Sequence, residues 1–208
     1  MAPGLREFCS TSQPTDEADL SLYQLHSQLS YDLVHGGIEA SAGTAILHHH
    51  QYFDGSGFPF VAQKHGAAQL RGNEIHVFGR ILAAADLYDR LSVPTNAPRR
   101  TNLEVLHLMR TEYRAKVDPV ILATLHQVCP PYPVGARLGL SDNSTAIVTE
   151  INPDSPYKPF VKILGDNGKP EKKAVSLNSE DAPKIRTLFN VPVTRHAQAA
   201  RSKTSLAA

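Results

Sequence analysis

His48-His49-His50-Gln51-Tyr52-Phe53-Asp54-Gly55-Ser56-Gly57-Phe58-Pro59 decides how the rest of this chain is read. Three imidazoles precede an aromatic pair, an aspartate and a glycine-rich turn, so metal-type ligands stand at the mouth of a tight loop. Gly55 and Gly57 permit positive φ and Pro59 adds rigidity. Alone, that segment is only a turn; it becomes more specific by following two histidines at fixed distance. A second stretch, Arg80-Ile81-Leu82-Ala83-Ala84-Ala85-Asp86-Leu87-Tyr88-Asp89-Arg90-Leu91, completes the pattern with two carboxylates three residues apart.

Upstream of the histidines, Leu22, Leu25, Leu29 and Leu33 recur at helical spacing and predict a helix over residues 19–34, with His26 at the edge of the stripe. Asp19 or Ser21 is available as its N-cap, and Gly36-Gly37 stops it. A second helix, from near Ser41, carries His49 and His50 in its last turn. Adjacent helical residues point about 100° apart, so from one helix these two imidazoles serve different ions of a close metal pair. The plainer alternative is a set of solvated histidines favoured at a helix C-terminus by the dipole.

Downstream, residues 60–73 lack a period and read as a loop and candidate lid. Ile75, Phe78, Leu82 and Ala85 then form a stripe whose next position is Asp89. A carboxylate on a buried apolar face must be neutralised, hydrogen-bonded or bound to a cation, and Asp86 can share its pocket. Against this stands an exposed pair, or one salt-bridged to Arg80 or Arg90. Two more helices follow at residues 102–114 and 120–128, the latter opened by Asp118-Pro119 and closed by Pro130-Pro131. Short β-type runs at 134–140, 146–151 and 159–164 predict a small antiparallel meander.

The expected architecture is mainly α: a disordered leader (1–18), a helical domain (19–131), a small antiparallel β appendage (132–190) and a disordered tail (191–208). A formal net charge of +1 gives no electrostatic case for bulk binding to a nucleic acid polymer or an anionic membrane. No apolar run reaches membrane-spanning length, and the first residues have no apolar signal core, which makes cytoplasmic the default location. Cys9 and Cys129 are too far apart in sequence to suggest a disulfide framework or a thiolate site. Ten histidines are many for 208 residues, and five of them fall between Leu25 and Gln51. Arg99 and Arg100, after Pro98, suit either a phosphate or a helix end.

In this order these pieces resemble the HD-GYP family, bacterial metal-dependent phosphodiesterases of the HD superfamily that hydrolyse cyclic di-GMP in signalling. The family's His-His-Glu-x-x-Asp-Gly-x-Gly-Tyr-Pro element is similar to residues 49–59, with Gln51 for Glu and Phe58 for Tyr. Its Ala-Arg-Ile-x-x-x-Ala-Asp-x-Tyr-Asp-x-Leu element is similar to residues 79–91, and Asp118-Pro119 and residues 132–135 resemble its later segments. The resemblance implies an HD-superfamily helical bundle, here its C-terminal half. It also implies His26, His49, His50 and Asp86 as metal ligands, iron or manganese as the divalent ions, and Arg100 as a substrate-phosphate contact. Cyclic di-GMP or the linear dinucleotide would be the substrate.

No histidine of this chain is followed by Asp, so the family's His-Asp dyad is absent from it. The expectation is therefore an N-terminally incomplete or degenerate relative with impaired catalysis and no assigned catalytic side chain. The alternative is a non-catalytic regulatory module that docks nucleotide cyclases or other signalling proteins through residues 55–59. Homodimer formation through exposed apolar surface is a further expectation.

Overall fold

The computed structural model describes residues 17–193 apart from positions 60, 64–65, 95–97, 166, 172–173, 178 and 180. The expected leader lies outside the described residues except for its last two positions, and the expected tail except for its first three. The chain divides into two compact units, Met1–Arg99 with Tyr113–Ile121, and Arg100–Glu112 with Leu122–Ala208.

The first unit contains α1 (Glu17–Val34), α2 (Ala40–His48), a hairpin of β1 (Val61–Gln63) and β2 (Gly66–Ala68), and α3 (Val77–Ser92). The hairpin occupies part of the stretch expected to be a loop. Helix α2 starts where the Glu39 carboxylate accepts from the backbone N–H groups of Ser41 (3.1 Å) and Ala42 (3.3 Å), satisfying two orphan donors. Helix α3 crosses α2 at Gly79, where a Cβ would stand 3.3 Å from the Cβ of His48. The buried side of α3 is Gly79, Ala83, Ala84, Leu87, Leu91 and Ser92.

That face corrects the expected stripe. Phe78 and Leu82 are 48% and 44% exposed, and Ala85 and Asp89 also face solvent. Small residues four apart permit a close helix approach, so burial follows Gly79, Ala83 and Leu87 instead of the bulkiest side chains. Asp89 therefore has no buried charge to neutralise. Helix α1 behaves alike: Leu25, Leu29 and Leu33 are exposed, whereas Ser27 is fully buried and Tyr23 and His26 are half-buried.

One ion pair ties distant parts of this unit together. The Arg80 guanidinium contacts both the Asp118 carboxylate and Asn73 Oδ1 (3.0 Å), and Asp118 is 5% exposed. Arg80 thus joins α3 to the start of α5 (Pro119–Val128), where Asp118 also accepts from Val120 N–H at 2.8 Å.

The second unit carries α4 (Asn102–Thr111), most of α5, and β3 (Arg137–Leu140), β4 (Thr145–Glu150), β5 (Phe160–Ile163), β6 (Val175–Ser176), β7 (Ile185–Leu188) and β8 (Val191–Pro192). Thr101 and Glu104 form a reciprocal capping box that starts α4. The strands form one antiparallel sheet in the order β6-β5-β4-β3-β7-β8. Leu138, Leu140, Ala146, Val148, Val161 and Leu188 build its core with Leu103 and Tyr132.

The expectation of a mainly α fold with a small appendage is thus overturned. A six-stranded sheet with its own core makes the chain α+β. The sequence pattern revealed β3, β4 and β5, but the Lys-, Gly- and Pro-rich residues between Leu164 and Ile185 obscured the return of the chain. That return puts β7 against β3, with Leu188 opposite Leu138, and makes β3 an interior strand. A Cβ at Gly139 would come within 2.4 Å of Thr187 Oγ1, which accepts from the Gly139 N–H, so a side chain there would turn that hydroxyl away.

Candidate metal centre

The three consecutive histidines separate because α2 ends at His48. His48 is 8% exposed and turns into the α2–α3 contact, where burial and then the nearby His76 lower its pKa. His49 is the C-cap, and His50 leads into the loop. The last two imidazoles nevertheless converge. Their ring centroids lie 4.0 Å from each other, and both face His26 of α1 at 5.2 Å and 4.9 Å. This corrects the expectation that His49 and His50 cannot serve one ion. One donor nitrogen from each of His26, His49 and His50 falls within a mutual 4.8 Å.

Backbone carbonyls fix two of the tautomers. His26 Nδ1 lies 2.5 Å from Tyr23 O, and His49 Nδ1 lies 2.6 Å from Ile46 O. A carbonyl can only accept, so each Nδ1 carries the proton and, in a neutral ring, each Nε2 presents a lone pair. The two Nε2 atoms are 3.2 Å apart. Burial, followed by the charge of His50, lowers the pKa of His49 to about 4, and burial chiefly lowers that of His26. Both rings are therefore neutral near pH 7, and two acceptors face one another with no proton between them. A divalent cation fits that donor set, since imidazole Nε2 atoms ligate it directly and the carbonyls supply the outer partners.

His50 is oriented from the opposite side. Its Nδ1 is 3.3 Å from Asp86 Oδ2, and its Nε2 is 3.4 Å from the Tyr23 hydroxyl. Asp86 is also paired with Arg90 at 2.9 Å. Burial alone would raise the Asp86 carboxyl, but the His50 hydrogen bond and the Arg90 charge hold it below its ordinary value. Asp86 thus meets the site through His50 and is half-buried, whereas Asp89 is exposed. Arg100 lies in the second unit, half-buried just ahead of the α4 cap.

The loop after the histidines is shaped by its backbone. Phe58 N–H donates to His50 O (3.2 Å), and Tyr52 N–H donates to Ser56 O (2.9 Å). Gly57 has φ +96°, and a Cβ there would lie 2.0 Å from His50 O. Only glycine fits. The Phe58 ring then packs 4.6 Å from His50 and 5.7 Å from Tyr23, walling the histidines with aromatic surface. Gln51 is 1% exposed and donates to Pro59 O at 2.5 Å. An ionised glutamate at that position could not make this bond.

Tyr23 and Phe58 were not singled out as parts of the site from sequence, because their roles come from packing between α1 and the loop. Spacing did hold one signal: Tyr23 precedes His26 by three residues, which puts both on one helical face. Among the described residues, no helix is long and apolar enough to cross a membrane.

A family model described as an HD domain matches residues 5–121. A cyclic di-GMP phosphodiesterase of Pseudomonas aeruginosa is 29% identical over 129 residues, covering 61% of this chain and 29% of the relative. The cyclic di-GMP phosphodiesterase PdeB of Borreliella burgdorferi is 21% identical over 174 residues, covering 82% of this chain and 44% of the relative. The chain thus spans less than half the length of either relative.

Proposed function

Since the chain belongs to the HD domain family, we propose that its histidine cluster is the metal centre of a phosphodiesterase acting on cyclic di-GMP or the linear dinucleotide. The observation that carries this is the pair of Nε2 lone pairs facing each other at 3.2 Å, each held by an Nδ1–carbonyl bond. His26, His49 and His50 would hold the ion, with Asp86 contributing its negative charge as the fourth member. When bound, a divalent ion of the iron or manganese type supplies an activated water and neutralises charge on the phosphodiester. The aromatic wall of Tyr23 and Phe58 excludes bulk water from one side and offers a surface for a nucleobase. The phosphate role of Arg100 rests on its motif position alone. The reading assigns the activity to the cytoplasm.

The chain contains no His-Asp pair, and we infer low turnover by this chain alone. The test is hydrolysis of cyclic di-GMP and of the linear dinucleotide by purified chain loaded anaerobically with iron or with manganese. His49→Ala should abolish ion binding and any turnover. Retention of both by that variant would refute the proposed centre.

A second reading is favoured by Gln51, whose side chain holds the loop by a structural hydrogen bond. In it the chain is a non-catalytic module that docks nucleotide cyclases or similar signalling proteins through residues 55–59, alone or as a homodimer. Cyclase capture that survives Phe58→Ala would exclude that surface.

A further inference from the structure

Away from the histidine cluster, the second unit contains a cavity of about 200 Å³ lined by Leu103, His107, Arg110, Tyr132, Tyr157 and Val193. Leu103, His107 and Arg110 recur at i, i+4 and i+7 on α4, so one face of that helix supplies half of the lining. The sheet core backs the cavity: Leu103 and Tyr132 are 7% and 5% exposed and belong to that core, and Tyr157 and Val193 pack against it. Apart from His107 and Arg110 the lining is apolar or phenolic, and no carboxylate is part of it.

Tyr157 is held at both its hydroxyl and its face. His126 Nδ1 donates to Leu122 O at 2.6 Å, which leaves Nε2 to accept from the Tyr157 hydroxyl at 3.1 Å. The Arg110 guanidinium lies over the Tyr157 ring, 5.1 Å from its centroid. Arg110 is exposed and pairs with no carboxylate among the described residues, so its fork of N–H donors is available at the rim. Burial, and then Tyr157, push the Tyr132 pKa up to about 12, so no phenolate opposes an anion there.

Size and charge narrow the occupant. An apolar cavity of about 150 Å³ takes up benzene, so the space here accommodates one ring with a small substituent and excludes a dinucleotide. One permanent cation at the rim matches one negative charge, and a guanidinium engages both oxygens of a carboxylate in parallel. A phosphate monoester, with close to two charges at neutral pH, would leave one of them unmatched. We propose that this cavity is a binding site for a small single-ring carboxylate: the ring fills the space beside Leu103, Tyr132 and Val193, and the carboxylate meets Arg110 at the rim. The site makes no use of the histidine cluster, so it stands or falls independently of the metal-centre reading.

The test is titration of the full chain with benzoate and with phenylacetate, metal-free so that no ion offers the carboxylate another partner. NMR signals of the Tyr132 and Tyr157 rings should shift saturably, with one site per chain by calorimetry, for at least one of the two acids. Arg110→Met, at an exposed position, should lower that affinity about 10–100-fold, the size of a lost hydrogen bond to a charged group. Arg110→Lys should recover part of the loss, since an ammonium keeps the charge but not the planar fork. Benzamide, of the same shape but neutral, should bind more weakly than benzoate and be indifferent to Arg110→Met. Val193→Phe fills the cavity and should abolish binding of the acids. No saturable shift with either acid overturns the site, as does an affinity unchanged in Arg110→Met or in a folded Val193→Phe. Acetate binding as tightly as benzoate also overturns it, leaving an adventitious ion at a surface arginine only. Should Val193→Phe fail to fold, the acetate and benzamide comparisons decide whether the ring and the charge are both read.

Discussion

The two units choose their buried faces by different rules. In the sheet, alternation along the strand is also alternation of burial: Leu138 and Leu140 are inside, and Arg137 is outside. In the helical unit, α1 turns Leu25 and Leu33 outward while Tyr23 and His26 face the cluster, and half of the buried residues of α3 are glycine or alanine. Apolar pattern reports burial where side chains pack only on other side chains. Where polar groups converge and two backbones must approach closely, residue size and hydrogen bonding choose the face.

The sharpest test of that contrast is a pair of leucine truncations. Leu138→Ala removes a fully buried side chain from the sheet core and should cost about 2–5 kcal/mol. Leu33→Ser, at a position 74% exposed, should stay within about 0.5 kcal/mol of the parent. Urea denaturation of both variants measures this, and equal losses would erase the distinction between the units.

Next in size is Gly57→Ala, which forces a Cβ onto His50 O and an alanine into positive φ. It should destabilise the helical unit by about 1–3 kcal/mol and abolish cobalt binding, while the near-ultraviolet signal of the sheet tyrosines persists. Intact cobalt binding would mean that the loop does not set the position of His50.

A smaller, pH-dependent effect separates the units again. His126 is buried in the second unit, donating from Nδ1 to Leu122 O (2.6 Å) and accepting from the Tyr157 hydroxyl at Nε2 (3.1 Å). Burial lowers its pKa, so the unfolded chain takes up a proton that the folded chain refuses. Its contribution is complete above pH 6.5 and is lost as pH falls below that value. His49 acts in the same direction in the metal-free chain, down to a pKa of about 4. Urea midpoints should therefore fall between pH 7.5 and pH 5, and His126→Gln should flatten part of that slope. A slope of the opposite sign would contradict both assignments.

Sequence reasoning placed the helices well because Gly36-Gly37, Asp118-Pro119 and Pro130-Pro131 are local signals whose physics needs no partner, whereas the Glu39 cap of α2 emerged only from the structure. The set His26, His49, His50 and Asp86 came from the family resemblance alone. Sequence reasoning did not see that His49 and His50 would converge. Nor did it find the outward turn of Asp89, the second half of the sheet, or the roles of Tyr23 and Phe58. Each of these depends on which surface a neighbouring element covers.

What the residues alone determined was the inventory: imidazoles before a glycine turn, a carboxylate on the later helix, and the backbone freedom of Gly57. Only the tertiary structure decided that two Nε2 atoms would meet at 3.2 Å and that Asp86 would stand behind His50 with Arg90 at its side. The reason is geometric. Local propensity sets the direction of a side chain relative to its own backbone, but the distance between two side chains from different elements is set by how those elements pack.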